Sequence, residues 1–462
     1  MKVLELIKNM GILAIGGICT KAINFLLLPL YTYLISVEEY GTIDLLTTIS
    51  SLMVAMVSFQ MYEAIFKYAT IQRGNLREIK IIFTNIWVFS VCACFLFSTI
   101  CAIVFLFLDF VGKWYIVSAV VSTIFLYVTT RSSRSLGHNK LYSFANFISA
   151  LVMIVLNLLF LVILKLPSLT ILYAYVIGPL VGGFICVLAD RLWQYWDLCL
   201  FDKEKIKEYL RYSIPLIPNE VAWWVIHTSD RLVVVTFLGL YSTGLLTVAT
   251  KFSVAYSTIF GFFYAAWVEQ CFLHYSTDSG RENIQKLIPK IFVGFCYFTC
   301  IFIIACMYAY PIAIDSAYNE AYILVPWYLI AVLLNVFIGL VSPIYLIVND
   351  TKAVMYSTII AGLINFLANV LLIQHIGILS APIAAIIGYG VVGIWRWVDI
   401  NRRYLRIELS YKNILEIMCM LGLVVWIYYY HANDYWGICS FVIVVLSMIS
   451  KFRKKIKNII KV

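Results

Sequence analysis

Apolar runs of about twenty residues recur from one end of this chain to the other, and that pattern leaves little freedom in what it can fold into. A run of that length matches the ~30 Å hydrocarbon core of a bilayer when wound as a helix. Of the 462 residues, 63 % are hydrophobic and 13 % charged, whereas a soluble chain carries about a quarter charged residues. The polar breaks are short: KYATIQRGNLREIK (67–80), RSSRSLGHNK (131–140), DRLWQYWDLCLFDKEKIKEYLRY (190–212) and DINRRYLRIELSYK (399–412). None has room for a separate soluble domain. The pattern predicts an all-α integral membrane protein of about fourteen transmembrane helices, with cores running from 11–35 to 436–450.

The opening MKVLELIKNMGILAIGGICTKAINFLLLPLY has the basic leader of a secretory signal. Its apolar body extends to Ile35, too long for a signal core, and no small-residue cleavage site follows. An uncleaved first membrane helix is the better reading. The 12 cysteines lie mostly within apolar runs, without a CxxC pair or a histidine in ligand spacing. They are read as packing residues, so neither a metal nor another cofactor is expected.

The positive-inside rule orients the helices. With the N-terminus inside, 27 of the 34 Lys and Arg residues fall in predicted cytoplasmic segments and only Lys113 and Lys165 in outer loops. An even number of spans follows, with both termini cytoplasmic. The net charge of +10 is then topology and contact with anionic membrane lipids. No nucleic-acid partner is needed to explain it.

The chain also resembles itself. YLISVEEYGTIDLLT (33–47) lies over TFLGLYSTGLLTVAT (236–250) at an offset of 203, aligning Gly41 with Gly244. NKLYSFANFISALVMIVLNLLF (139–160) lies over TKAVMYSTIIAGLINFLANVLL (351–372) at 212, aligning Lys140 with Lys352 and Asn157 with Asn369, and Gly178 over Gly390 keeps that offset. Two six-helix lobes, 1–200 and 206–400, are therefore expected in the same orientation, followed by two extra transmembrane helices (413–450) and a basic cytoplasmic tail (451–462). Such an arrangement handles substrate near the membrane midplane, in a cavity between lobes.

KAINFLLLPLYTYLISVEEYGTIDLLTTI, SIPLIPNEVAWWVIHTSDRLVVVTFLGLYSTGLLTVATKFS and RSLGHNKLY resemble segments of the bacterial Wzx-type polysaccharide repeat-unit flippases, members of the multidrug/oligosaccharidyl-lipid/polysaccharide exporter superfamily. The resemblance implies alternating access in the bacterial inner membrane. It also implies a cargo, an undecaprenyl-diphosphate-linked oligosaccharide destined for surface polysaccharide such as O-antigen or capsule, and other polysaccharide-assembly proteins as partners. Many such flippases have twelve spans. Fourteen also occurs in related exporters and in lipid II flippases.

An ionisable residue at the bilayer centre costs ~2.5 to 3.5 kcal/mol on insertion scales, so it is retained for a partner, a wet cavity or a function. Lys21 lies ten residues past Gly11, about 15 Å deep. Lys21, Arg231 and Lys251 are expected to bind the lipid diphosphate, with structural ion pairing as the competing reading. Arg134, in RSSRSLGHNK, is either a topological anchor or a residue that draws the headgroup in. On the seventh helix Glu220, Trp224, His227 and Arg231 fall on one stripe, with Asp230 within reach of His227. Glu220, His227 and Asp230 are candidates to carry a proton or sodium counter-ion, against a structural ion pair for Asp230. Pro215 and Pro218 either loosen the first turn of that helix or sit there as ordinary N-terminal prolines. Trp223, Trp224, Tyr264 and Trp267 are candidate sugar contacts or packing groups. Asp44, Glu63, Glu269, Lys290 and Arg396 lie near span ends and read as boundary charges.

No HExxH, GxSxG, Gly-rich phosphate loop or paired-carboxylate cluster organises catalysis, so an enzyme such as a membrane glycan polymerase is disfavoured. The competing transport readings are a lipid II exporter and a multidrug exporter of the same superfamily.

Overall fold

The computed structural model describes residues 27–275, 277–348, 350–408, 410–430 and 435–459. Among them every regular element is helical. The chain divides into two compact units, Met1–Thr228 and Ser229–Val462. Each predicted span from 42–66 to 436–450 coincides with helix, and the end of the first predicted span is the short α1 (Leu28–Leu34). Nine stretches of described helix are long and apolar enough to cross a membrane. One of these, Lys352–Arg403, comprises two successive helices.

In the first unit α2 (Val37–Val57) begins at a capping box, in which Ser36 and Glu39 each satisfy a backbone N–H of the other's residue. The sequence reads 42–66 as one span, but the helix stops after Val57 and restarts as α3 (Met61–Ile71), because Phe59 and Gln60 adopt left-handed backbone angles. Then come α4 (Leu76–Phe107), α5 (Lys113–Ser135), α6 (Asn139–Leu158) and α7 (Ile171–Ala189). At 32 residues α4 is ~48 Å long, because the polar segment before residue 81 is itself helical behind the Asn75 cap. Gly112 enters α5 at φ 82°, an angle that favours glycine, and a Cβ there would also push on Leu46 Cδ1 at 2.6 Å. Helices α6 and α7 approach backbone to side, with the Cα hydrogens of Gly178 and Gly182 against the carbonyls of Ser149 and Ala145. Small residues serve this purpose where van der Waals contact, rather than hydrophobic exclusion, drives helix association.

A linker follows, strapped down by the side chains of α4. Asn85, fully buried, donates Nδ2 to the Leu200 carbonyl and accepts the Asp202 N–H, and Thr84 Oγ1 accepts the Asp197 N–H. The amphipathic α8 (Lys203–Ser213) then packs the Tyr209 ring 4.9 Å from Tyr68. The chain turns at Ile214–Pro215 and α9 (Leu216–His274) starts with Pro218 in its first turn.

Helix α9 holds two passes joined at Gly239, whose φ of 82° no other residue adopts easily. The division between units falls within its first pass. In the second unit follow α10 (Asp278–Ala313), α11 (Val325–Ile347), α12 (Thr351–Ile376), α13 (Ser380–Arg403), α14 (Tyr411–Tyr430) and α15 (Trp436–Ile459). The last two are bound to this unit by polar contacts as well as by apolar ones. Tyr322 and Tyr428 stack at 4.0 Å, and each hydroxyl donates to the other residue's carbonyl at 3.1 Å. Tyr297 of α10 shares a hydrogen bond of 3.0 Å with Ser447 of α15.

Candidate functional site

In the first unit Glu63 lies in the first turn of α3, just after the break, and meets Arg131 of α5. Arg131 donates from Nε (3.1 Å) and Nη2 (2.7 Å) to Glu63 Oε1 and from Nη1 to the Tyr142 hydroxyl (3.1 Å). Their side chains remain 23 % and 31 % exposed, so the pair is only partly enclosed by protein. One turn on, Arg134 lays its guanidinium 4.5 Å from the Phe66 ring centre and 5.2 Å from that of Tyr142, a stacking geometry that a lysine would not reproduce. Arg73 closes the end of α5 by donating to the carbonyls of Ser135 (2.8 Å) and Arg134 (3.2 Å).

Glu220, exposed in the first turns of α9, lies within electrostatic range of Glu63 and Tyr62. Four residues later Trp224 donates its indole N–H to Ser51 Oγ (3.2 Å) and the Thr48 carbonyl (3.3 Å). This indole is thus held on α2. The two guanidiniums share Tyr142, and the two carboxylates, one of them paired with Arg131, lie near Tyr62. Such a set can hold an anion on the arginines when a proton or metal cation neutralises a carboxylate, and can release it when the carboxylates re-ionise.

In the second unit Asp230 and Arg231 form a different group. Tyr328 donates its hydroxyl to Asp230 Oδ2 (3.1 Å), Arg231 Nη2 donates to Thr250 Oγ1 (3.4 Å), and Arg231 Nη1 stands 3.9 Å from Asp230 Oδ1. Lys251 follows Thr250 on the second pass of α9 and is half-buried. Asp230 and Arg231 are about 13–14 % exposed, so this group is more enclosed by protein than the one around Glu63.

Of the residues expected from sequence, Glu220 and Arg134 share the first group, and Asp230 and Arg231 the second, with Lys251 next to one of its hydroxyls. Lys21 lies outside the described residues, as does the side chain of His227. Trp267 is buried and donates its indole N–H to the Leu340 carbonyl at 2.9 Å, which makes it a packing group.

Two residues read as boundary charges prove to be central to polar networks. Glu63 is one. Arg396 is the other: 5 % exposed, it donates to Ser342 Oγ (2.7 Å), Ser357 Oγ (2.9 Å), Thr358 Oγ1 (3.0 Å) and the Val354 carbonyl (3.2 Å). Its hydrogen-bond acceptors among the described residues are all neutral. The hydroxyls come from α11 and α12, too far along the chain for spacing to reveal them. Beyond the span, Tyr404 donates to Asp350 (2.9 Å), and that bond holds the phenol above its ordinary range. Among the described residues no three His, Cys, Asp or Glu side chains are grouped to hold a metal.

The fold is shared with solved transporters. The lipid II flippase MurJ in an inward closed conformation superposes with a TM-score of 0.69 at 15 % identity, over 96 % of this chain and 99 % of that one. An inward-facing multidrug resistance MATE family transporter of the MOP superfamily gives 0.63 at 13 % identity, over 83 % and 95 %. An outward-facing MATE transporter of the same superfamily gives 0.54 at 13 % identity, over 90 % and 96 %. At these identities the likeness speaks for the fold. No curated protein matches by sequence. A family model described as polysaccharide biosynthesis protein matches residues 6–268, more than half of the chain, and this multi-pass membrane protein accordingly belongs to the polysaccharide biosynthesis protein family.

Proposed function

We propose that this protein flips undecaprenyl-diphosphate-linked oligosaccharide repeat units across the bacterial inner membrane by alternating access, for surface polysaccharide synthesis, with both termini cytoplasmic. The observation that carries the reading is the half-open Glu63–Arg131 pair, with Arg134 and Glu220 beside it, in a membrane protein of the polysaccharide biosynthesis family. A diphosphate carries about two negative charges and cannot cross hydrocarbon bare. Guanidiniums bind it in bidentate fashion.

Arg134 and Arg131 are the phosphate ligands of the first unit, and Arg231 with Lys251 those of the second. Lys21, by its depth in the first predicted span, belongs with them. Glu220 with Glu63, and Asp230 with His227, carry the proton or sodium ion whose movement re-poises the protein. Neutralising Glu63 frees Arg131 for phosphate. Re-ionising it expels the phosphate by restoring the pair.

The test is to delete the gene and complement it with the native chain, Arg131→Met, Arg134→Ala or Glu220→Gln. The reading expects lipid-linked repeat units to accumulate on the cytoplasmic side while surface polysaccharide disappears, with rescue by the native chain alone. Export at the native level from normally inserted Arg131→Met and Arg134→Ala proteins would overturn it. Proteoliposome transport indifferent to proton and sodium gradients would remove the coupling. A second reading, lipid II as cargo, is favoured by the near-complete overlap with MurJ. Its mark is arrest of cell-wall synthesis, rather than loss of surface polysaccharide, on depletion.

A further inference from the structure

The interruption between α2 and α3 is strained. Phe59 (φ 47°) and Gln60 (φ 56°) are successive non-glycine residues in the left-handed region, where the Cβ crowds the following carbonyl. Such conformations persist only where the surroundings over-determine them, and they gather at functional sites. Local bonds hold this one. The N–H groups of Gln60 and Met61 donate to Ser58 Oγ (3.2 Å) and the Ser58 carbonyl (3.0 Å), and the Phe59 ring meets Phe89 edge-on at 5.7 Å. Gln60 is 2 % exposed, and among the described residues its buried amide Nε2 makes no hydrogen bond of ordinary geometry, with only the Tyr62 hydroxyl close by as a polar neighbour. An apolar side chain of similar length would avoid that unsatisfied donor.

The architecture does not demand the break. At the offset of 203 seen in the sequence, Phe59 and Gln60 lie over Phe262 and Phe263, and α9 departs from helical angles only at Gly239. The first unit bears a strain that the corresponding helix of the second lacks. Its consequence is local: the joint resets the rotational phase of the helix three residues before Glu63, so the face Glu63 occupies is no longer dictated by α2.

We propose that Gln60, within this joint, is a positioning residue that sets Glu63 against Arg131. The proposal rests on the flippase reading of that pair, but its test is chosen so that the two can fail separately. In the full-length chain with its native cysteines replaced, Glu63→Cys and Arg131→Cys are joined by a short bismaleimide in membranes. This readout needs no cargo. Gln60→Val, whose β-branch opposes left-handed angles, is expected to lower crosslinking about ten-fold, while Gln60→Asn and Gln60→Gly, which accept those angles, keep it within about two-fold.

Surface polysaccharide export in the otherwise native chain is expected to follow the same order. Rescue by glycine shows that the backbone angles at residue 60, rather than contacts of the glutamine side chain, set the position. If Gln60→Val inserts poorly, Gln60→Ala against Gln60→Gly makes the same comparison with a smaller perturbation. Crosslinking unchanged in Gln60→Val or Gln60→Ala, or equally lost in Gln60→Gly and Gln60→Asn, overturns the proposal. Should the native chain export no glycan while crosslinking follows the predicted order, the flippase reading fails and the positioning role stands.

Discussion

Arg131 in the first unit and Arg396 in the second are both arginines in membrane-crossing helices, and the protein treats them in opposite ways. Arg131 is left partly exposed and matched by a carboxylate, Glu63, which itself lies near a second carboxylate on α9. Arg396 is sealed among hydroxyls and a carbonyl from two neighbouring helices. A charge that can trade one partner for another suits transport. One wrapped in neutral acceptors ties α11, α12 and α13 together and has little to exchange.

The largest expected difference is in transport. Arg131→Met leaves Glu63 without its partner and is expected to cut glycan export about a hundred-fold, whereas Arg396→Met, which keeps the volume, leaves export within about two-fold. Equal loss from both, measured as surface polysaccharide at matched membrane levels, would break the contrast and make Arg396 a working residue. Stability should rank the other way. Arg396→Ala removes four hydrogen bonds and opens a cavity, for a cost of about 2 kcal/mol or more in thermal or denaturant unfolding, while Arg131→Ala in its more exposed site is expected to cost about half as much.

Packing between paired helices sharpens the same comparison on a smaller scale. Gly178 of α7 faces Ser149 and Met153 of α6, and Gly388 of α13 faces Ala361 and Asn365 of α12. The partners differ by 212 and the glycines by 210. Gly388 rather than Gly390 is thus the contact equivalent of Gly178, because the first unit inserts a π turn (Leu159–Ile163) and a longer connection before α7, where the second has only Gly377–Leu379. Gly178→Ala would bring its Cβ to 2.7 Å from a carbonyl oxygen and is expected to cost about 1 to 3 kcal/mol. Gly388→Ala, with its nearest atom at 3.1 Å, should cost about 1 kcal/mol. Gly390→Ala, whose nearest neighbour is at 3.9 Å, should change the unfolding midpoint least, by less than about 0.5 kcal/mol.

The aligned asparagines show why register alone is a poor guide to contacts. Asn157 and Asn369 are both buried, as their alignment in two apolar runs would have it. Asn157 donates to the Tyr31 hydroxyl at 2.6 Å, whereas Asn369 accepts from Ser380 at 2.8 Å. A side chain's position in a repeat determines whether it is inside. Its partner depends on which residue another helix happens to present.

By itself the sequence determined the membrane setting, the helical class and where most of the helices lie, because hydrophobic length is a property of short windows read along the chain. It also singled out Glu220, Asp230 and Arg231 as charges that a membrane helix would not carry without cause, and Arg134 as a loop cation that anchors the topology or draws in the headgroup. Only the tertiary structure decided what those charges face. Glu63 and Arg131 are 68 residues apart, and the acceptors of Arg396 lie 38 to 54 residues away, separations over which no periodicity reaches. The joint at Phe59–Gln60 was equally hidden, since neither residue prefers left-handed angles. Packing holds it there against local propensity, and the orientation of Glu63 follows from that.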